Sequence, residues 1–311
     1  MNSRLPDYYK LSLEIAQARR TGTPLVALET TVITHGLPYP TNLELARKME
    51  AAVRDNGAVP ATIGVLDGVI HVGMSGDQLS ELVVAKNPRK ISSRDFGIAI
   101  ANAESGGTTV AGTLVVAKAA GIRVFATGGI GGVHRNAPFD ISTDLLELSR
   151  SPVIVVCTGA KAILDIPATL EYLETVGVPV VGYQTDVFPA FYVRESGLPV
   201  SARADSPEDV AEITNAHWGL GLDSAILVVV PPPINIALST EEVDTAIDQA
   251  LSEVQAKGIH GQAVTPYLLE RVNELTGGNS LKANLALLLN NAIVAAQIAA
   301  VYPSRRVTPV I

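Results

Sequence analysis

Lys161 sits where an apolar run, Val153 to Cys157, gives way to a pattern that reads as helical, in the stretch VVCTGAKAILD spanning positions 155 to 165. An amine nucleophile must be uncharged, and an ordinary lysine, with a pKa near 10.4, is only about 0.1% neutral around pH 7 to 7.5. An apolar strand and the positive end of a helix would both favour the neutral form, and a drop of about three units is worth roughly 4 kcal/mol. Schiff-base lysines are activated in this way. The plainer alternative is an exposed lysine beside a helix start. Glu29, in Ala27-Leu28-Glu29-Thr30-Thr31, follows another apolar run. It is either a carboxylate that accepts local backbone N–H bonds or a general acid with a pKa raised by desolvation.

The densest signal is ATGGIGGVHRNAPFDISTDL, positions 126 to 145. Glycines at 128, 129, 131 and 132 let the backbone approach a ligand closely, and their N–H groups would suit an anion. The spacing is not that of a dinucleotide fingerprint. Asp140, Ser142, Thr143 and Asp144 lead into a short helix through Leu148, with Asp140 or Ser142 as its cap. Such oxygen-only groups also suit Mg²⁺ or Mn²⁺, which keep several waters and need few protein ligands. His134 then becomes a polar wall rather than a zinc ligand, since no HxxxH or CxxC spacing accompanies it. Thr108-Thr109-Val110 precedes an alanine-rich helix and offers hydroxyls and backbone donors to an anion. Lys90 and Arg94 would supply positive charge to a phosphate, or form a solvated basic turn. Asn284 interrupts an apolar helix, as a core amide or a site residue.

These residues have to be positioned by a scaffold, and the hydrophobic pattern supplies one. Strand-like runs at 24–28, 61–66, 69–74, 124–126, 153–157, 179–183 and 225–230 alternate with helical patterns at 42–56, 241–257 and 281–300. Asp67-Gly68 between two of the runs is a strong hairpin signal. Alternation of this kind predicts an α/β fold: a three-layer α/β/α sandwich around a mostly parallel mixed sheet, with at least one antiparallel edge. With no low-complexity linker and no fixed-period repeat, residues 1–311 read as a single domain. Ligands in such sheets collect at the carboxyl ends of the strands. Glu29, Thr127 and Lys161 all follow strand ends, so one cleft would hold them.

Composition narrows the partners. The net charge is −8 and no block of lysine and arginine stands out, which argues against a nucleic acid polymer while leaving a single nucleotide open. The N-terminal stretch lacks the apolar core and cleavage site of a signal peptide. The apolar segment from Leu281 to Val301 is broken by Asn284, Asn290, Asn291 and Gln297, so it reads as a buried helix rather than a membrane span. Cys157 is the lone cysteine and lies in an apolar run. It fits a reducing cytoplasm, and its neighbours would raise rather than lower its pKa.

Taken in order, ALETTVITHGLPYP, GTTVAGT, FATGGIGGVHR, FDISTDL, GAKAILD, TLEYLETVGVPVVGYQTD, PAFY and LTGGNSLKANLALLLNNA resemble the pseudouridine-5′-phosphate glycosidase family, related to indigoidine synthase A proteins, from about Pro24 to Tyr302. The resemblance implies an α/β/α enzyme assembled as a homotrimer. It would join or separate uracil and ribose 5-phosphate through a carbon–carbon glycosidic bond, with Mn²⁺ (or Mg²⁺ or another divalent ion) present. It implies Lys161 as the Schiff-base nucleophile, Glu29 as the proton donor and Asp140 as the metal ligand. Lys90, Val110, Ser142, Thr143 and Asp144 match substrate-contacting positions, and Thr127, His134 and Asn284 match further active-site positions. The chain departs from the family pattern at Thr30 and Ala162, where serine is common, and at Pro231-Pro232-Pro233-Ile234-Asn235, a stretch that often carries acidic residues. Two other readings stand beside it: a Schiff-base aldolase acting on another sugar phosphate, and a sugar-phosphate-binding subunit in which the lysine only neutralises phosphate.

Overall fold

The computed structural model describes residues 5–135, 137–259 and 264–302, and for Pro138 and Thr265 the backbone alone. Met1 to Arg4 of the N-terminal stretch and Asn136 of the glycine-rich stretch lie outside the described residues.

The central strands are short, mostly aliphatic runs with no polar alternation, the pattern of strands covered on both faces. In chain order the larger sheet uses β1 (Tyr9–Leu11), β2 (Leu25–Leu28), β3 (Val59–Leu66), β4 (Val69–Val72), β5 (Arg89–Ile91), β6 (Gly106–Thr108) and β7 (Val124–Ala126). A small sheet takes β8 (Val133–His134), β9 (Ala137–Ile141) and, later, β11 (Leu164–Asp165); β10 (Ile154–Cys157), β12 (Val180–Tyr183), β13 (Ala202–Ala204) and β14 (Ile226–Val229) complete the larger one. The main path runs β1-β4-β3-β2-β7-β10-β14-β12-β13. From β3 to β13 every neighbouring pair is parallel.

Antiparallel pairing gathers on β3. Its first half pairs with β2, and its second half pairs with β4 on one side and β6 on the other. The hairpin at Asp67-Gly68 forms as the sequence predicts, with both residues at positive φ (47° and 75°), as a two-residue type I′ turn requires. The expected antiparallel edge is corrected in one respect. The hairpin strand β4 is not the edge, because β1 adds to it in parallel and caps it.

Among the helices, α1 (Leu13–Thr21), α2 (Thr41–Asp55), α3 (Gly76–Val84), α4 (Phe96–Ala101), α5 (Val110–Ala120), α6 (Thr143–Leu148), α7 (Ile166–Thr175), α8 (Pro207–Gly219), α9 (Thr240–Lys257), α10 (Val264–Leu275) and α11 (Asn279–Val301) follow in chain order. Crossover handedness sorts them into layers. Right-handed connections from β2 to β3 and from β13 back to β14 put α2 and α8 on one face; those from β7 to β10 and β10 to β12 put α6 and α7 on the other, where α5 joins them by packing on α6. The contacts agree, since α11 packs on α2 and α8. The result is the three-layer α/β/α arrangement read from the sequence.

Helix α11 is long and apolar enough to cross a bilayer by length and composition. It lies instead across β2, β7 and β10, with Leu287, Leu288, Asn291, Ala295 and Ile298 buried, so the reading of a buried helix holds.

Candidate active site

Strands β2, β7 and β10 are neighbours at the centre of the sheet, and their register decides what meets at their carboxyl ends. Leu28 pairs with Ala126, and Val156 pairs with the same Ala126. The next residue on each of the first two strands, Glu29 and Thr127, therefore emerge side by side on one face, since parallel strands lie about 4.8 Å apart and side chains alternate. The Thr127 hydroxyl donates a hydrogen bond to Glu29 Oε1. Burial pushes the Glu29 carboxyl above its ordinary range, against the opposing pull of Lys161 and of the Thr127 hydrogen bond. A carboxyl held this way stays protonated to higher pH than a surface glutamate, as a proton donor requires.

Lys161 lies four residues beyond β10. A single parallel bridge, Ile130 to Ala160, continues the β7–β10 pairing past the strand ends. The Lys161 N–H donates to Ile130 O at 3.1 Å, and its carbonyl accepts from Leu164 N at 3.0 Å. Arg135 braces the far side, donating to Ala162 O and Leu164 O, each at 3.1 Å. The predicted helix start beside Lys161 is corrected: β11 intervenes, and α7 begins at Ile166 with Asp165 as its cap. Lys161 itself stands outside any helix, and the starts of α5 and α6, at Val110 and Thr143, line the same cavity. Lys90 of β5 lines it too, its amine held below the usual lysine range by burial and then by Lys161, with Asp144 and Glu29 pulling the other way. Its strand neighbour Arg89 is turned elsewhere, into ion pairs with Glu104 and, at 3.4 Å, Asp95.

Two adjoining cavities share Glu29, Thr31, Lys90 and Lys161 as a common wall. The smaller, about 60 Å³, is closed by apolar groups: Val32, Phe191, Pro266, Leu269 and Leu288, with His35, Thr127 and Asn284. The larger, about 300 Å³, is lined by Ser92, Arg94, Thr109, Val110, Gly131, His134, Asp140, Ser142, Thr143 and Asp144. All the site residues predicted from the sequence line one or both cavities. They arrive from β2, β5, β7, β8, β9, α5, α6, the β10–β11 loop and α11.

Several serve the scaffold at the same time. The Asp144 carboxylate accepts from Ala111 N at 2.9 Å and Gly131 N at 2.8 Å, and Ser142 caps α6 by accepting from Asp144 N at 3.2 Å. Thr109 caps α5 through Gly112 N at 3.1 Å. Part of the glycine-rich stretch, read from the sequence as a cradle for a ligand anion, is already bonded within the protein. The N–H groups of Ile130, Gly131 and Val133 are taken by Gly159 O, Asp144 and Thr169 Oγ1. The glycines are needed because protein packs against them: a Cβ at Gly131 would collide with Ser142 Oγ, and one at Gly129 with the Phe191 ring. Phe191 is itself at positive φ (61°), unusual for an aromatic residue.

Asp140 is the exposed carboxylate at the rim of the larger cavity. Among the described residues no group of three or more His, Cys, Asp or Glu side chains comes together as a metal cage. A lone carboxylate of this kind fits a hard divalent cation that keeps most of its water shell. Cys157 is fully buried, and burial pushes its thiol up to about 12, so it is no nucleophile at neutral pH.

Thr31, His35, Ser92 and Phe191 line the cavities as well, although the sequence reading did not single them out as site residues. His35 was within reach, since it lies in the segment ALETTVITHGLPYP six residues after Glu29; the structure sets it in one turn of π-helix (Val32–Gly36). Such turns occur frequently at functional sites. Its imidazole sits below the ordinary histidine range because of burial and Lys90, and its Nδ1 is 2.7 Å from Thr34 Oγ1. Phe191 lies in the PAFY segment that carries part of the resemblance, but its place in the site depends on contact with Gly129 across the fold.

The chain matches the model of the indigoidine synthase A-like proteins over residues 14–301 and belongs to that family. Curated relatives bear the name pseudouridine-5′-phosphate glycosidase. One from Solibacter usitatus is 52% identical over 94% of this chain and 98% of its own length. One from Deinococcus radiodurans is 51% identical over 97% of each. Among solved structures, the prealnumycin C-glycosynthase AlnA in complex with ribulose 5-phosphate superposes with a TM-score of 0.88 at 43% identity, covering 95% of this chain and 97% of that one. An indigoidine synthase A-like protein from Thermotoga maritima also gives 0.88, at 35% identity, covering 96% of this chain and 99% of that one.

Proposed function

We propose that this protein cleaves and forms the carbon–carbon glycosidic bond between uracil and ribose 5-phosphate in pseudouridine 5′-phosphate, through a Schiff base on Lys161. The observation that carries the reading is that Glu29 and Lys161 stand together on the wall between an apolar cavity and a polar one. In this reading the base lies toward the apolar side and the sugar phosphate toward the polar side, with the bond joining them beside both groups. The names of the close relatives support the same substrate.

An ordinary nucleoside breaks at a C–N bond and releases a stable base anion. Here C1′ is joined to C5 of uracil, and a bare C5 carbanion is a poor leaving group. The residues avoid forming it. Protonated Glu29 gives its proton to the ribose ring oxygen as uracil electrons expel that oxygen from C1′, which opens the ring. The neutral amine of Lys161 then adds to C1′ and returns the electron pair to the uracil ring. The new ammonium passes a proton to the Glu29 carboxylate, and Glu29 delivers it to C5. The C1′–C5 bond breaks as the lysine nitrogen lone pair forms an iminium ion with C1′. Water hydrolyses the iminium, releasing ribose 5-phosphate and the free amine. Run backwards, the same steps build the nucleotide.

Lys90, with Ser142, Thr143 and Val110, holds the sugar phosphate in the polar cavity, and Asn284 and His134 complete the walls. Asp140 is the residue that would hold a divalent ion such as Mn²⁺ or Mg²⁺, with water filling most of its shell. When bound, the ion supplies positive charge beside the substrate's oxygens. The same reading takes the 311 residues as one domain of a cytoplasmic homotrimer, for which light scattering in solution is the check.

The test is release of uracil from pseudouridine 5′-phosphate, followed by chromatography with Mn²⁺ present, with Lys161→Ala as the control. Release by the wild type and almost none by the variant is the expected result. A variant that retains full activity would remove Lys161 from the mechanism. A wild type that releases no uracil yet forms an adduct with sugar phosphates would favour an aldolase.

A further inference from the structure

Thr127 is held from two sides. Its hydroxyl donates to Glu29, and its carbonyl accepts from the side-chain amide of Asn291 at 2.8 Å. The same Nδ2 group donates to Thr158 Oγ1 at 3.0 Å. Thr158 is the first residue past β10, three positions before Lys161, and its N–H is bonded to Gly128 O at 2.8 Å. One side chain therefore ties the β7 end, which carries the partner of Glu29, to the β10 end, which leads into the Lys161 loop.

Asn291 is fully buried in α11, whose other buried residues beyond Ser280 in the first turn are leucine, alanine, valine and isoleucine. A leucine there would serve packing alone at less desolvation cost, since an amide in such a place is tolerable only when its hydrogen bonds are made. Here both donors are spent on strand ends that bear the proposed chemistry. Asn284, two helical turns earlier on the same face of α11, lines the apolar cavity above it.

We infer that Asn291 is a positioning residue: it fixes the β7 end against the β10 end, and so sets Thr127 on Glu29 and Glu29 relative to Lys161. The inference rests on the proposed function. It assigns Asn291 no contact with substrate. Because the Thr127 hydroxyl favours the ionised form of Glu29, loosening it leaves burial to push Glu29 further up.

The experiment measures kcat, KM and the pH profile of uracil release for the wild type, Asn291→Leu, Thr127→Val and the double variant, with Tm for each. Asn291→Leu is expected to lower kcat by about 10- to 100-fold, the scale of a misplacement of about 1 Å between reacting groups, with KM little changed. It should move the same limb of the kcat/KM profile as Thr127→Val, in the same direction. The double variant should be close to the slower single one, because both changes act through one hydrogen bond. Thr158→Val removes a single partner of the amide; it should reproduce a weaker form of the effect, and it decides the matter if Asn291→Leu does not fold. A lowered Tm with kcat and pH profile unmoved would reduce Asn291 to a core amide and overturn the inference, as would fully multiplicative losses. A wild type without uracil release fails the proposed function first, and the inference with it.

Discussion

The lobe beneath α10 and α11 is small and walled by Val32, Phe191, Leu269 and Leu288, whereas the lobe against the β8–β9 hairpin is about five times larger and walled by hydroxyls, Arg94, His134 and Asp140. The same contrast recurs in their carboxylates. Glu29, on the shared wall, is desolvated and pushed up in pKa, with one hydroxyl donor to oppose that. Asp144, in the polar lobe, is more deeply buried but accepts two backbone N–H bonds, one from α5 and one from the glycine-rich turn. Burial alone does not make a carboxyl reactive; what matters is whether the scaffold satisfies it. Glu29 keeps a raised pKa, as the proposed proton donor requires, and Asp144 joins α6, α5 and the turn at Gly131.

Substitutions can break that contrast. Glu29→Gln keeps the shape and the wall but removes the transferable proton. The expected loss in kcat for uracil release is about 10²- to 10⁴-fold, the usual contribution of a positioned acid–base group. The same variant should be more stable than the wild type at pH 8 and no more stable at pH 4. A carboxyl whose folded pKa is raised contributes its stability below its unfolded pKa and loses it as pH rises through the folded value. Calorimetry at the two pH values checks the sign, and a lower Tm at pH 8 would mean that ionised Glu29 is well solvated.

Asp144→Asn should behave in the opposite way. An amide presents a donor where two N–H groups require acceptors, so the expected cost is about 1–3 kcal/mol of stability, read from denaturant midpoints. Activity would fall only as far as the polar lobe deforms.

Lys90→Met sharpens the assignment of the lobes. It should raise KM for pseudouridine 5′-phosphate by about 10- to 100-fold, the value of a hydrogen bond to a charged group, and leave turnover of unphosphorylated pseudouridine nearly unchanged. Equal effects on both substrates would put Lys90 at the base or the bond instead. The smallest effect belongs to Cys157. With its thiol at about 12 and fully buried, the native protein should resist iodoacetamide at pH 8 and be labelled only after unfolding.

The parts of this arrangement that the sequence made legible are those set by long apolar runs. The ends of β2, β7 and β10 were readable because Leu25–Leu28, Val124–Ala126 and Ile154–Cys157 are unbroken by polar residues, and their ends locate Glu29, Thr127 and the Lys161 loop. The helix start was placed too early because Ala162-Ile163-Leu164 is apolar. The better markers were three residues on, in Asp165-Ile166-Pro167, where Asp165 accepts from Ala168 N at 3.0 Å and proline fits the first turn. Strands as short as β8 and β11, of two residues each, carry too little pattern to be seen before their partners are known. Asn291 was visible only as an interruption in an apolar helix. Its meaning comes from Thr127 and Thr158, more than 130 positions away in the chain.

The proposed reaction depends on a covalent bond at one nitrogen, that of Lys161. Incubation with ribose 5-phosphate, reduction by borohydride and mass spectrometry of the proteolysed protein test it most directly. The peptide that contains Lys161 should gain the mass of the reduced sugar phosphate, and Lys161→Ala should gain none. An unmodified Lys161, or a modification found on Lys90 in its place, would contradict it.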